Sequence, residues 1–392
     1  MINSHFIPRL ILRHFPSKEG RISLYDLKSG ETKLDVKIED AFAIADFYPD
    51  EMEKEFNRKT EGSFGNLLNN IILKSQDKRI SLTRVQVNQI KKFLLLLIIR
   101  SMLQDKWIAE EMKFESKMDE IHKMMGIKDS PLFPFKEKVI PGESPREYWL
   151  RSMECILAAP NGLPEEVEQN PDATQMAWRW AWVVKSGYLG FWSSRKTNVD
   201  FLVTDIGMTS ESEMAVGKDM TLNPKKQMSL IRCAELIPDE PMLRPYKEQF
   251  LQMAARQAYL HENFMEFPIS KDLMIVLINP YYKVYEMNKG KGFPFPKLSE
   301  LTKIDDEAAF FPNDAQYAVP GEYRDDDLFV YEIKDLSERS CVYLNLLTLD
   351  RIDTTLGFAN SNKIMSSLVS YQIVPGKLND YSKLISKLEG GR

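Results

Sequence analysis

A chain of 392 residues with 57 acidic and 52 basic side chains has a net charge of -5, so bulk electrostatics hold it to neither nucleic acid nor an anionic membrane. With 43% hydrophobic and 28% charged residues it is too apolar to be disordered, and it is long enough for one large core or two domains of ordinary size. Its three cysteines, Cys155, Cys233 and Cys341, are odd in number, far apart and outside any CxxC or zinc-spaced pair, which suits buried thiols in a reducing compartment.

The first residues, MINSHF, carry no basic leader followed by an apolar segment. The longest apolar run, FLLLLII at 93–99, is far short of the ~20 residues that span a bilayer. These features lead us to expect a cytoplasmic protein with no membrane partner.

After the strip SHFIPRLILRHF (4–15), the segments RISLYDL (21–27) and TKLDVKI (32–38) alternate in polarity around KSGE, which predicts a hairpin. From Asp50 the period changes: Phe56, Phe64, Leu67, Leu68, Ile71 and Ile72 recur at helical spacing. A second, longer helix is expected from a cap at Ser81 through Val85, Phe93 and Leu97 to about Met125. The proline-rich stretch 130–145 is a loop and the one candidate sub-boundary in what otherwise reads as a single unit over 1–392.

Helices are expected at 146–158 and 172–185, then a short strand FLVTDI (201–206) that ends in an acid. Strands follow at 228–237 and 272–278, with a helix around 253–264 between them. A proline-rich loop at 291–298, the strand DLFVYEI (327–333) and a helix from Ser340 through Asn345 and Leu349 complete the pass. The expected class is α+β, mainly helical, with an N-terminal hairpin and a small mixed or antiparallel sheet.

The sequence holds no phosphate-cradling glycine loop, GxSxG elbow, HExxH or paired CxxC. RLILRH (9–14) has the arginine-to-histidine spacing of HEPN-type ribonucleases, but Leu10 stands where those have a polar residue. Glu332-Ile333-Lys334 behind Asp325, Asp326 and Asp327 has the composition of a PD-(D/E)xK nuclease site, but the acid is poorly placed to share a metal. A solvated acidic turn before a buried strand accounts for it better. Trp178, Trp180, Trp182 and Trp192 are read as core packing in preference to a stacking platform, because at helical spacing Trp180 points away from the other two.

HFIPRLILRHF followed by a hairpin resembles the start of a largely bacterial family, domain of unknown function 4238, which opens with a His-x-x-Pro element and a Leu-Arg-x-Phe element. The corresponding residues are His5 and Pro8, then Leu12, Arg13 and Phe15. DFYPDEMEKEFNRKTEG, with Tyr48 and Glu61, resembles the family's Tyr-containing helix entry and later glutamate, and FLLLLIIRSM its apolar helix ending in arginine, here Arg100. FLVTDI resembles its Phe-Ile-Thr-Ser-Asp strand through Phe201 and Asp205, FPISKDL its Pro-Leu-Ser element through Pro268 and Ser270, and CVYLNLLT its last element through Asn345. Thr204 and Ile206 depart from that strand pattern. The resemblance implies an architecture and a set of positions, and no reaction.

Those positions are polar groups in or beside apolar runs, where burial without partners costs ~1–3 kcal/mol each. They satisfy one another or they face a cleft. In the functional reading His5 is the general acid or base, Asp205 orients it or holds a divalent metal, and Glu61 is a third reacting group. Arg13 and Arg100 clamp a phosphate, while Ser270 and Asn345 line the pocket. This makes the protein a phosphate-directed hydrolase, a phosphodiesterase or nuclease-like effector, acting on a phosphate-containing small molecule or nucleic acid. The competing reading is a non-catalytic binding or regulatory module in which Arg13 and Arg100 neutralise Glu61 and Asp205 in a buried network.

Overall fold

The computed structural model describes residues 3–45, 47–101, 108, 140, 142–212, 262–278, 309–311, 324–374 and 376–390. The opening strip divides into a strand β1 (Asn3–His5) and a one-turn helix α1 (Arg9–Leu12). The expected hairpin forms from β2 (Arg21–Asp26) and β3 (Thr32–Lys37), paired antiparallel. Its turn is closed by the Asp26 carboxylate, which accepts from Ser29 N at 2.7 Å, and by Gly30 at φ +72°, a left-handed conformation that suits glycine. β4 (Ala43–Ala45) then returns to pair with β1.

Next come α2 (Asp50–Phe56), a π-turn at Asn57–Glu61 and α3 (Gly62–Lys74), with Phe64, Leu67, Leu68 and Ile71 buried as the 3.6-residue period requires. β5 (Arg79–Thr83) precedes α4 (Arg84–Ser101). Here one expectation is corrected. Ser81 does not cap α4; it lies in β5 opposite Val330. The cap is Thr83, whose Oγ1 accepts from Gln86 N at 3.3 Å while Gln86 Oε1 accepts from Thr83 N at 2.9 Å, a reciprocal capping box. The expected run of this helix to Met125 lies mostly outside the described residues.

α5 (Pro145–Ala158) starts at a Ser144/Glu147 capping box, α6 (Pro164–Glu168) is short, and α7 (Gln175–Ser186) is capped by Thr174. Trp178 is buried while Trp180 and Trp182 pack partly buried on the same core, as expected for packing residues. β6 (Tyr188–Ser193), β7 (Val203–Thr204), β8 (Thr209–Ser212), β9 (Glu262–Ser270) and β10 (Leu273–Ile278) follow. The helix expected around 253–264 is corrected at its end, where residues 262–264 already belong to β9. The strand expected at 228–237 and the loop at 291–298 lie outside the described residues.

β11 (Ala309–Phe311), β12 (Leu328–Asp335), α8 (Glu338–Arg351), β13 (Thr355–Phe358), α9 (Ser361–Gln372) and α10 (Ser382–Gly390) complete the chain. The acidic turn before β12 is structural: the Asp327 carboxylate accepts from Arg84 Nη2 at 2.9 Å and from Arg324 N at 2.9 Å, while exposed Glu332 pairs with Arg79. The class is α+β. The strands form a β1–β4 pair, a four-stranded sheet in the order β3-β2-β13-β7, and a mixed sheet β11-β12-β6-β10-β9-β8 with β5 on β12. Among the described residues, only the β12–β6 pairing of this larger sheet is parallel.

β10 explains where the core sits. Its six residues are all buried, and alternation sends Leu273, Ile275 and Leu277 to one face and Met274, Val276 and Ile278 to the other. The first face packs against the helices α2–α5 and α7, and the second against α8–α10 and β13. A strand buried on both sides reads as a continuous apolar run, and LMIVLI does so.

Candidate functional site

In the opening strip Ile7, Ile11, Leu12 and Phe15 are buried, while Arg9 and Arg13 are exposed. Pro8 supplies the entry to α1 through its carbonyl, which accepts from Ile11 N at 2.9 Å. The turn sends its two histidines to different places.

His5 enters the core. Its Nε2 lies 3.1 Å from Glu39 O, and its own carbonyl accepts from Arg100 Nη2 at 2.5 Å. Arg100 is buried and also donates to Glu61 Oε1 at 2.7 Å and to Tyr48 Oη at 3.4 Å, with its guanidinium 4.3 Å from the Phe56 ring centre. Burial works against its charge, but Tyr48 and Glu61 outweigh this and hold it protonated. The π-turn before α3 carries Glu61, at the end of the segment that delivers it to Arg100. Glu53, which sequence reasoning did not select, lies in the same electrostatic neighbourhood: burial raises its carboxyl above the usual range, Arg100 opposes this and Glu61 adds to it.

Asp205 has other partners. Its carboxylate accepts from the backbone N–H groups of Asp353, Thr354 and Thr355 and from the Thr354 hydroxyl, and so grips the connection from α8 to β13. Burial raises its pKa, and those hydrogen bonds oppose the rise. Asn345, buried on α8, accepts from Leu202 N at 3.3 Å and donates to Asp200 O at 2.9 Å and Ser367 Oγ at 3.0 Å. His5 and Asp205, expected to converge, are thus held by separate sets of partners, and Arg13, expected to neutralise Glu61 or Asp205, is on the surface.

A third cluster gathers what the first two lack. The turn from β9 to β10 carries Ser270, Lys271 and Asp272, and Lys271 N donates to His14 O at 3.1 Å, fastening the opening strip to it. Ser270 Oγ donates to Asp272 Oδ1 at 2.7 Å, and Arg195 Nε donates to Asp272 Oδ2 at 3.0 Å. The half-buried His14 ring is hydrogen-bonded to Asn69 of α3 and feels the charge of Asp272. Burial, helped by Arg13, lowers its pKa below 6.5 against the opposing pull of Asn69 and Asp272. The Asp272 and Arg195 side chains are 28% and 23% exposed, so solvent reaches the group.

Arg13 and Ser270 are therefore the expected site residues that belong here; His14, Asn69, Arg195 and Asp272 were not selected. Serine two residues before an aspartate at a strand end is a local turn signal. Nothing near Arg195 in sequence marks it.

Among the described residues, no three His, Cys, Asp or Glu side chains gather so as to hold a metal ion. None of the described helices is long and apolar enough to cross a membrane. Cys155 and Cys341 are free, buried thiols, and Cys233 lies outside the described residues. No curated protein and no solved structure matches the chain. The family model described as "Protein of unknown function (DUF4238)" matches residues 3–319, which contain all three clusters' N-terminal members but not the Asn345 element. With the match covering most of the chain, this protein belongs to the DUF4238 family.

Proposed function

We propose that this protein is a phosphate-directed hydrolase whose reacting centre is the His14 cluster. One observation carries the reading: an imidazole, a carboxylate and a guanidinium from three distant segments lie together where solvent reaches them, whereas Asp205 is engaged by the connection from α8 to β13 and His5 is buried beside Glu39 O. Arg13, Arg195, Lys271 and Lys363 stand against Asp200 and Asp272, a local positive excess on a chain of net charge -5. A phosphate suits that excess.

A neutral His14 is a base. In the proposed step it takes a proton from water as the water oxygen forms a bond to phosphorus. The ester P–O bond breaks, and the protonated ring returns the proton to the departing oxygen. Asp272 holds the Arg195 guanidinium through Nε, Ser270 fixes Asp272, and Arg195 with Arg13 stabilises the charge on the phosphoryl oxygens.

The test is turnover of a phosphomonoester, a phosphodiester and an RNA oligonucleotide. His14→Ala is expected to lower kcat/KM by roughly 10²–10⁴ with the fold kept. No turnover of any of the three by the wild-type chain removes the reading. It would favour the non-catalytic binding or regulatory module, which the structural employment of His5, Glu61, Arg100, Asp205 and Asn345 supports.

A further inference from the structure

We propose that the loop from Ser194 to Asp200 encloses a binding site for a phosphate group that carries its own proton, the terminal phosphate of a monoester or inorganic hydrogen phosphate. The inference deepens the reading above and rests on it for the site's place in a reaction. It also commits to monoesters over diesters.

The loop leaves β6 and folds over the β9–β10 turn. Ser194 N donates to Asp272 O at 3.1 Å, Thr197 N to Ser194 O at 2.8 Å, and Phe201 N to Lys271 O at 2.7 Å. Three polar atoms of this one loop are sealed from solvent and have no hydrogen-bond partner among the described residues: Ser194 Oγ, Arg195 Nη1 and Asp200 Oδ2. Ser194 and Asp200 are each only 1% exposed. The rest of these side chains is held in place, Arg195 by Asp272 and by Ile72 O, Asp200 by Lys363 at 3.3 Å.

Leaving a buried donor or acceptor open costs ~1–3 kcal/mol, so three within one short loop describe a missing complement. That complement accepts from the Arg195 guanidinium and the Ser194 hydroxyl, donates to the Asp200 carboxylate, and is anionic to suit the surrounding cations. A hydrogen phosphate does all three: two unprotonated oxygens accept and the P–OH donates. Sulfate and an internal phosphodiester have no proton at neutral pH and would set a bare oxygen against Asp200. A site built around a donated hydrogen bond rejects a ligand that lacks the donor. The partly exposed Arg195 and Asp272 side chains mark the side from which such a group enters.

The experiment is calorimetric titration and thermal denaturation of the full chain with inorganic phosphate and, separately, sulfate, at neutral pH and matched ionic strength. Phosphate is expected to bind at least about tenfold more tightly than sulfate. Asp200→Asn, whose amide also donates, should erase or invert that preference, and Ser194→Ala should weaken phosphate several-fold. Equal affinity for the two anions, or no binding of either, overturns the proposal without need of any variant. Phosphate preference without turnover of any ester would sink the hydrolase reading and keep this site. Turnover that depends on His14 with no preference for phosphate would do the reverse.

Discussion

Arg100 and His14 show how similar residue types take different duties. Arg100 bridges a backbone carbonyl, a carboxylate and a phenol from inside the core, so Arg100→Met strands Glu61 and the His5 carbonyl. We expect a loss of about 3–5 kcal/mol, read by chemical denaturation. His14 is held neutral by burial and by Arg13, so kcat/KM should rise with pH along a limb whose midpoint lies below 6.5 and then level off. Arg13→Gln removes one lowering influence and should move that midpoint upward, which a pH–rate profile detects. His5 and Asp205 were legible in sequence as polar groups in apolar surroundings, and they are buried and bonded as that demands. Which of the two histidines faces solvent was not legible, because it depends on α1 being a single turn.

At the scale of elements, Lys91 and Lys92 on α4 each end a different helix. Lys92 Nζ donates to Ala159 O at 2.5 Å just beyond α5, and Lys91 Nζ donates to Lys185 O at 2.7 Å in the last turn of α7 and to Gly187 O at 2.8 Å just after it. Both satisfy carbonyls that a helix leaves unpaired. Burial pushes both ammonium groups down to about 8 from 10.5. Above pH 8 the unfolded chain therefore binds more protons than the folded one, and stability from these groups increases with pH. Denaturation curves should show the wild type gaining stability between pH 8 and 10 relative to Lys92→Met, in which that share of the gain is absent. The same scale explains the Ser81 error. β5 pairs with β12, a partner about 250 residues away in sequence that no local pattern announces. The Thr83-x-x-Gln86 box two residues later was readable. Thr83→Ala should cost about 1 kcal/mol.

For the whole molecule, the decisive fact is the position of β13. It lies between β2 and β7, so a strand from beyond residue 319 completes a sheet begun near the N-terminus. α8–α10 cover the second face of β10. A fragment ending at 319 is expected not to fold, giving no cooperative thermal transition; a sharp transition would show that the residues beyond 319 are dispensable. The hairpin, the α+β class and the doubly buried β10 could be read from alternation and run length. The larger sheet could not, since its strand order is set by pairings across long stretches of chain.

The central claim is that the chemistry sits on the second histidine of the opening strip and not on the first. The most direct measurement is kcat/KM for phosphate-ester hydrolysis by His14→Ala and His5→Ala side by side, each with its melting temperature. The account expects His14→Ala to lose about two to four orders of magnitude in rate at nearly unchanged stability, and His5→Ala to lose stability while the folded fraction keeps its rate. Turnover abolished by His5→Ala and untouched by His14→Ala would contradict it.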